Sequence, residues 1–148
     1  RAHRLAVGGG IAAAVSLDKA VNGTSLMLMF AYRGAHLLFP GDAQWGTWLN
    51  VLDDVEWRPL LERVSFYKIG HHGSHNATPR RFVADLLPRG CCAMASTLVR
   101  TIWPDIPKSG LLTALLDKST TVARSDEPAE APRSFRVSPG VIEARVPF

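Results

Sequence analysis

The chain has 148 residues, 47% of them hydrophobic and 20% charged, which suits one domain with a real core and excludes a disordered chain. Seventeen basic against thirteen acidic residues leave a net charge of +4, which permits an anionic substrate without requiring nucleic acid. The two cysteines, Cys91 and Cys92, are adjacent and have no third thiol to pair with. That excludes a disulfide framework, and a reducing, cytoplasmic compartment is expected. The absence of any C-x-x-C argues against a thiolate zinc site.

In chain order, the sequence starts at Arg1 rather than Met, so a fragment or a processed form is expected. "LAVGGGIAAAV" (5–15) is short and small-residued; it resembles neither a signal peptide, with its basic n-region and cleavage site, nor a P-loop, which would need Gly-Lys-Ser/Thr, so it reads as a loop running into an edge strand. No run of 18 apolar residues occurs anywhere, so no membrane segment is expected. "LMLMFAY" (26–32) and "AHLLF" (35–39) form a hairpin about Arg33-Gly34, and their near-continuous apolar character predicts strands covered on both faces. Trp45, Trp48, Leu49, Leu52 and Val55 then fall at helical spacing, which predicts an amphipathic helix over 44–55.

"VSFYKI" (64–69) is a strand that runs into the polar loop "GHHGSHNAT" (70–78). Thr78 as N-cap and Pro79 at the first helical position open a helix with Phe82, Val83, Leu86 and Leu87 inside. "CCAMAS" is a buried strand, and Pro107 opens a helix lined by Leu111, Leu112, Leu115 and Leu116. "TTVAR" (120–124) is a short strand, "SDEPAEAPRS" (125–134) a loop, and "FRV" and "VIEARV" a closing hairpin around Ser138-Pro139-Gly140. The order predicts a mixed sheet with helices packed on it, an α/β or α+β architecture.

The chemistry-bearing residues gather at two strand ends. Asp42 follows the returning hairpin strand, and His71, His72 and His75 crowd the loop after the 64–69 strand. Strand ends are where sites are built in helix-covered sheets, and imidazole with carboxylate suits zinc, manganese or iron. Each residue also has a plainer reading. Asp42 suits a helix N-cap, His71 a loop residue, His72 loop packing and His75 a surface histidine. Asn22 and Ser25 suit a turn held by side-chain-to-backbone bonds. Ser74 beside His75 is a poor nucleophile pair, because the Gly-x-Ser-x-Gly elbow is absent and adjacent side chains diverge. His36 reads as a strand residue without a metal role.

Three motifs in order, Asn22-Gly23-Thr24-Ser25, Gly41-Asp42-Ala43 and His71-His72-Gly73-Ser74, together with "IPKSGLLTALLDKSTTVARSDE", resemble the second half of a metallo-β-lactamase-superfamily hydrolase. The resemblance is nearest to the hydrolase domain of competence-type DNA-uptake proteins and covers most of residues 20–126. It implies the second half of a four-layer αββα sandwich and a site with two zinc ions, manganese or iron being alternatives. Asp42 would bridge the ions and His71 would bind one of them, with His72 the second choice. Asp42, His71 and His72 are then the candidate catalytic residues. His72, Ser74 and His75 are candidates for contact with the substrate or with a metal ligand. Such a pair, ~3.5–4 Å apart, generates a hydroxide at neutral pH that attacks a phosphodiester or another ester-type bond. Nucleic acid is a possible substrate on the strength of the resemblance alone.

The family's main metal motif, His-x-His-x-Asp-His, is absent from this sequence. The expectation is therefore one partial domain over 1–148. It comprises an edge segment (1–20), a motif-bearing half-fold (21–126), and a loop with a closing hairpin (127–148). This would be the C-terminal half of a hydrolase, nearly silent by itself, whose partner is the missing N-terminal half or a second copy. The competing expectation is a non-catalytic interaction module that keeps the half-fold and associates with another chain.

Overall fold

The computed structural model describes residues 24–98 and 104–146. The 5–15 segment and Asn22 lie outside the described residues. The chain is α/β. A five-stranded mixed sheet has the order β1-β2-β3-β4-β5, built from β1 (Leu28–Tyr32), β2 (Ala35–Phe39), β3 (Val64–Lys68), β4 (Cys92–Ala95) and β5 (Thr121–Arg124). β1 and β2 pair antiparallel, while β2 through β5 run parallel. The hairpin turn is the expected one: Arg33 and Gly34 both take positive φ, +48° and +87°, the geometry that matches the twist of flanking strands.

Parallel neighbours need crossovers, and helices supply them. α1 (Trp45–Asp53) and α2 (Trp57–Leu61) join β2 to β3, and α3 (Ser109–Asp117) leads into β5. Between β3 and β4 the chain makes a wide helical turn, Phe82–Leu86, closed by a Leu87 N–H···O=C Phe82 bond of 2.8 Å. All four side chains expected inside there, Phe82, Val83, Leu86 and Leu87, are buried. The Thr78 hydroxyl does not cap this helix. It bonds the buried Tyr67 hydroxyl at 2.6 Å, and the helical residues begin at Arg80.

Alternation along the strands sends Leu38, Tyr67 and Ala93 to the helix side, into a core with Trp48, Leu52, Leu61, Phe82 and Leu115. Phe66, Cys92 and Ala123 face the other way. There they meet a second, two-stranded antiparallel sheet, β6 (Phe135–Ser138) and β7 (Val141–Ala144), through Phe135, Ile142 and Ala144.

Three expectations fail on exposure. β1 is an edge strand whose Leu28, Phe30 and Tyr32 are exposed, so it is not covered on both faces. α1 ends at Asp53, so Val55 lies beyond it and is exposed; the helix itself buries only Trp48 and Leu52 and leaves Trp45 and Leu49 in water, because it meets the core along one narrow stripe. In α3, Leu115 is buried and Leu116 is exposed for the same reason. α2 went unpredicted. Its signal is Asp54, whose Oδ1 accepts the N–H groups of Glu56 (2.8 Å) and Trp57 (2.9 Å), with Pro59 in the first turn.

Candidate functional site at the strand ends

The parallel strands β2, β3, β4 and β5 deliver their C-terminal ends to one margin of the sheet, and the sequence places Asp42, His71, Ser96 and Ser125 just beyond them. The Asp42 and His71 loops touch. The His71 N–H donates to the Gly41 carbonyl at 3.1 Å. Gly70 makes this contact possible: a Cβ there would lie 2.9 Å from the Gly41 oxygen and 3.0 Å from Pro40 Cγ. On the far side, a Cβ on Gly73 would lie 2.6 Å from Pro107 Cβ, and the Lys108 N–H donates to the Gly73 carbonyl at 2.9 Å. Between these glycines His71 and His72 both occupy the left-handed region, φ 40° and 56°, which L residues enter at a cost of about 1–3 kcal/mol each.

A cleft of about 670 Å³ opens at this margin, lined by Asp42, Gln44, His71, His72, Ser74 and His75 on one side and by Ser96, Thr97 and Ile106 on the other. The structure thus brings together every candidate catalytic residue of the sequence. Asp42 is not the helix cap. Gln44 occupies the N-cap position of α1 and no side chain caps that helix. Asp42 is exposed, and among the described residues its carboxylate accepts no hydrogen bond. Its charge does reach Lys68, whose ammonium is pushed below its usual pKa by burial and partly restored by Asp42.

The three loop histidines differ. His71 Nδ1 is buried with no hydrogen-bond partner, a costly state for a polar atom. His72 Nδ1 lies 2.6 Å from the Ser96 carbonyl. His75 is exposed. Ser74 is buried and its hydroxyl donates to Asn76 Oδ1 at 3.0 Å, so it braces the loop as well as lining the cleft. His36 stays on β2 with Nδ1 3.1 Å from the Gly34 carbonyl, away from the cleft, as expected. Ser25 lies beside the Asp42 loop, 3.9 Å from where a Gly41 Cβ would stand, yet among the described residues its hydroxyl makes no turn bond.

Sequence reasoning missed the β5 end. The Asp126 side chain is only 3% exposed and accepts from the Thr97 hydroxyl and from Arg124 (2.7 and 3.1 Å). Burial alone would raise its pKa; the bonds from Arg124 and Thr97 outweigh that and hold the carboxyl below its usual range. The signal was an acid within "ARSDE", inside a stretch read by composition as loop.

Among the described residues no group of three or more His, Cys, Asp or Glu side chains could hold a metal ion. Catalytic zinc takes three protein ligands, so these residues do not fit a complete metal centre; Asp42 and His71 would be part of one at most. No protein-family model, no curated protein and no solved structure matches the chain.

Proposed function

We propose that the chain is the C-terminal half of a metal-dependent hydrolase of the metallo-β-lactamase type, acting on a phosphodiester or another ester-type bond. The observation that carries this reading is the contact of the Asp42 and His71 loops, which sets an uncapped carboxylate beside a strained pair of histidines at the rim of one cleft. A bland loop has no use for two consecutive left-handed non-glycine residues, nor for a buried Nδ1 without a partner. In this reading Asp42 and His71 are ligands to a zinc pair, or to manganese or iron, and the remaining ligands come from residues beyond those described. When bound, the metals would supply a water activated at neutral pH. His72, Ser74 and His75 line the space where substrate would lie.

A second groove, about 890 Å³, shares Ser74 and His75 with the cleft and is lined by Arg80, Arg89, Lys108 and Lys118 against a single acid, Asp117. That charge balance favours an anionic substrate and is compatible with nucleic acid. Two buried free thiols, Cys91 and Cys92, agree with a reducing, cytoplasmic setting; burial pushes the Cys91 thiol up to about 12. No helix among the described residues is long and apolar enough to cross a membrane.

In this reading the helices, the five-stranded sheet and the two-stranded sheet among the described residues would correspond to three layers of a four-layer αββα sandwich. The exposed Leu28, Phe30 and Tyr32 favour the rival reading, an interaction module whose open face is covered by a separate chain or a second copy.

The test is hydrolysis of bis(p-nitrophenyl) phosphate by the polypeptide of the full reading frame, with zinc or manganese added. Activity that falls more than ~100-fold in both Asp42→Ala and His71→Ala supports the hydrolase, since even groups outside the ligand set cost 10–100-fold when lost. No activity, with stable association through the open face in light scattering, favours the interaction module.

A further inference from the structure

Of the three histidines in the 70–78 loop, only one has its ring orientation fixed by a hydrogen bond to the main chain. His72 Nδ1 lies 2.6 Å from the Ser96 carbonyl oxygen. A carbonyl can only accept, so Nδ1 carries the hydrogen, and in the neutral ring Nε2 is left with a bare lone pair. His72 is exposed and lines the cleft.

The Ser96 carbonyl is itself held from outside the cleft. Ser96 follows β4, whose pairing with β5 ends at Ala95↔Arg124. Beyond that pair the two chains stay joined through Ser125. Its N–H donates to the Ala95 carbonyl at 3.1 Å. Its hydroxyl accepts from the Thr97 N–H at 2.7 Å and donates to the Thr97 carbonyl at 2.6 Å. Asp126 takes the Thr97 hydroxyl and is braced by Arg124, which also reaches Glu127 at 2.7 Å. The residues on both sides of Ser96 are thus pinned to the end of β5, and neither Ser125 nor Asp126 lines the cleft.

We propose that Ser125 and Asp126 are positioning residues. They hold the Ala95–Thr97 segment so that the Ser96 carbonyl fixes His72 as its Nδ1–H tautomer and presents Nε2 to the cleft as a lone-pair donor. What Nε2 serves there rests on the hydrolase reading. The tautomer and its control by β5 rest on the hydrogen bonds alone. His71 makes a built-in contrast: its Nδ1 has no partner to choose a tautomer for it.

The test is long-range 15N–1H correlation of the imidazoles in the uniformly labelled full chain, without metal or substrate. The spectra are recorded at a pH of about 8.5, some two units above the ordinary histidine value of ~6.5. The expected result is His72 as Nδ1–H in the wild type. Ser125→Ala and Asp126→Asn should each turn it into a mixture in which Nε2–H dominates, while the His75 signals stay where they are. Ser125→Thr keeps the hydroxyl and should keep Nδ1–H. A wild-type His72 already in the Nε2–H form overturns the proposal, and so does a folded Ser125→Ala chain that retains Nδ1–H. Should Ser125→Ala not fold, Thr97→Val removes only the Asp126 contact and carries the same expectation. Because no metal and no turnover enter the measurement, a failure of the hydrolase reading would leave this result standing, and the reverse.

Discussion

On the helix side of the five-stranded sheet, Trp48, Leu52, Leu61, Tyr67, Phe82 and Leu115 are all fully buried. On the other side, the β6–β7 hairpin covers Phe66, Cys92 and Ala123, while Phe30 on the edge strand remains 54% exposed and Tyr32 62%. Both faces are apolar, so composition does not distinguish them. What separates them is closure. Among the described residues, the helices that link the parallel strands pack on one side, and the opposite side receives two strands. Stability should therefore be concentrated on the helix face, and the open face should govern association. The candidate site lies on the margin where the strands end. Its residues should matter for the loops they hold rather than for the core.

The sharpest test of that division is Trp48→Ala. Trp48 stacks on Phe82 with ring centroids 4.9 Å apart, and its Nε1 donates to the Ala77 carbonyl at 2.9 Å. Truncation should lower stability by about 3–5 kcal/mol, read as a shifted denaturant midpoint. It should also free the far end of the histidine loop, which Ala77 anchors. A loss below ~1 kcal/mol would mean the helix face is not the main core.

At the margin, Asp126→Asn removes a buried charge from Arg124 and Thr97 and should cost about 1.5–3 kcal/mol at neutral pH. The folded-state carboxyl is held below its ordinary value of ~3.9. Its contribution is therefore fully present above pH ~4 and is lost as pH falls through the lower folded value. Urea titrations of wild type and variant should differ at neutral pH and converge in acid; parallel curves would contradict the assignment. Gly70→Ala comes next. Its Cβ meets backbone at 2.9 Å, so the Asp42 and His71 loops must part, at about 1–3 kcal/mol and with loss of the His71 N–H···O=C Gly41 bond. Hydrogen exchange at the His71 amide reads that directly.

The same division explains what the sequence could and could not tell. The strands, their succession along the chain and the Arg33-Gly34 turn were legible, because short apolar runs and turn residues are local signals. The meeting of Asp42 with His71 was legible as a juxtaposition of strand ends. Which apolar residues face water was not. Trp45 and Leu49 fit a helical stripe as well as Trp48 and Leu52 do, and only the width of the contact beneath α1 separates them. Asp42 read equally well as a cap, since a cap is defined by where the helix begins, and it begins at Trp45 rather than at Ala43. The left-handed backbone at His71 and His72 leaves no trace in residue type, because it is imposed by Gly70 packing on Gly41 and by Gly73 packing on Pro107.

On the open face, Phe30→Ser should change monomer stability by no more than ~0.5 kcal/mol, as for other exposed positions. It should nevertheless reduce self-association in light scattering. A variant that unfolds instead would show that the T-shaped contact of Phe30 with Phe39, at 5.6 Å, belongs to a core the exposure understates.

The smallest expected effect concerns Asp42 itself. As a helix cap it would contribute about 1 kcal/mol, lost on Asp42→Ala. Because Gln44 holds that position and the carboxylate has no hydrogen bond among the described residues, the variant should melt with the wild type. Zinc sharpens the point. A ligand bound only by the native state at 100 times its dissociation constant adds about 2.7 kcal/mol, whereas the described residues offer no set of three ligands. Added zinc should therefore leave the melting temperature of the isolated chain within ~1 °C. A larger shift that vanishes in both Asp42→Ala and His71→Ala would mean that the strand-end margin binds metal unaided. A larger shift that survives both substitutions would move the metal away from this cleft and remove the strongest support for the hydrolase reading.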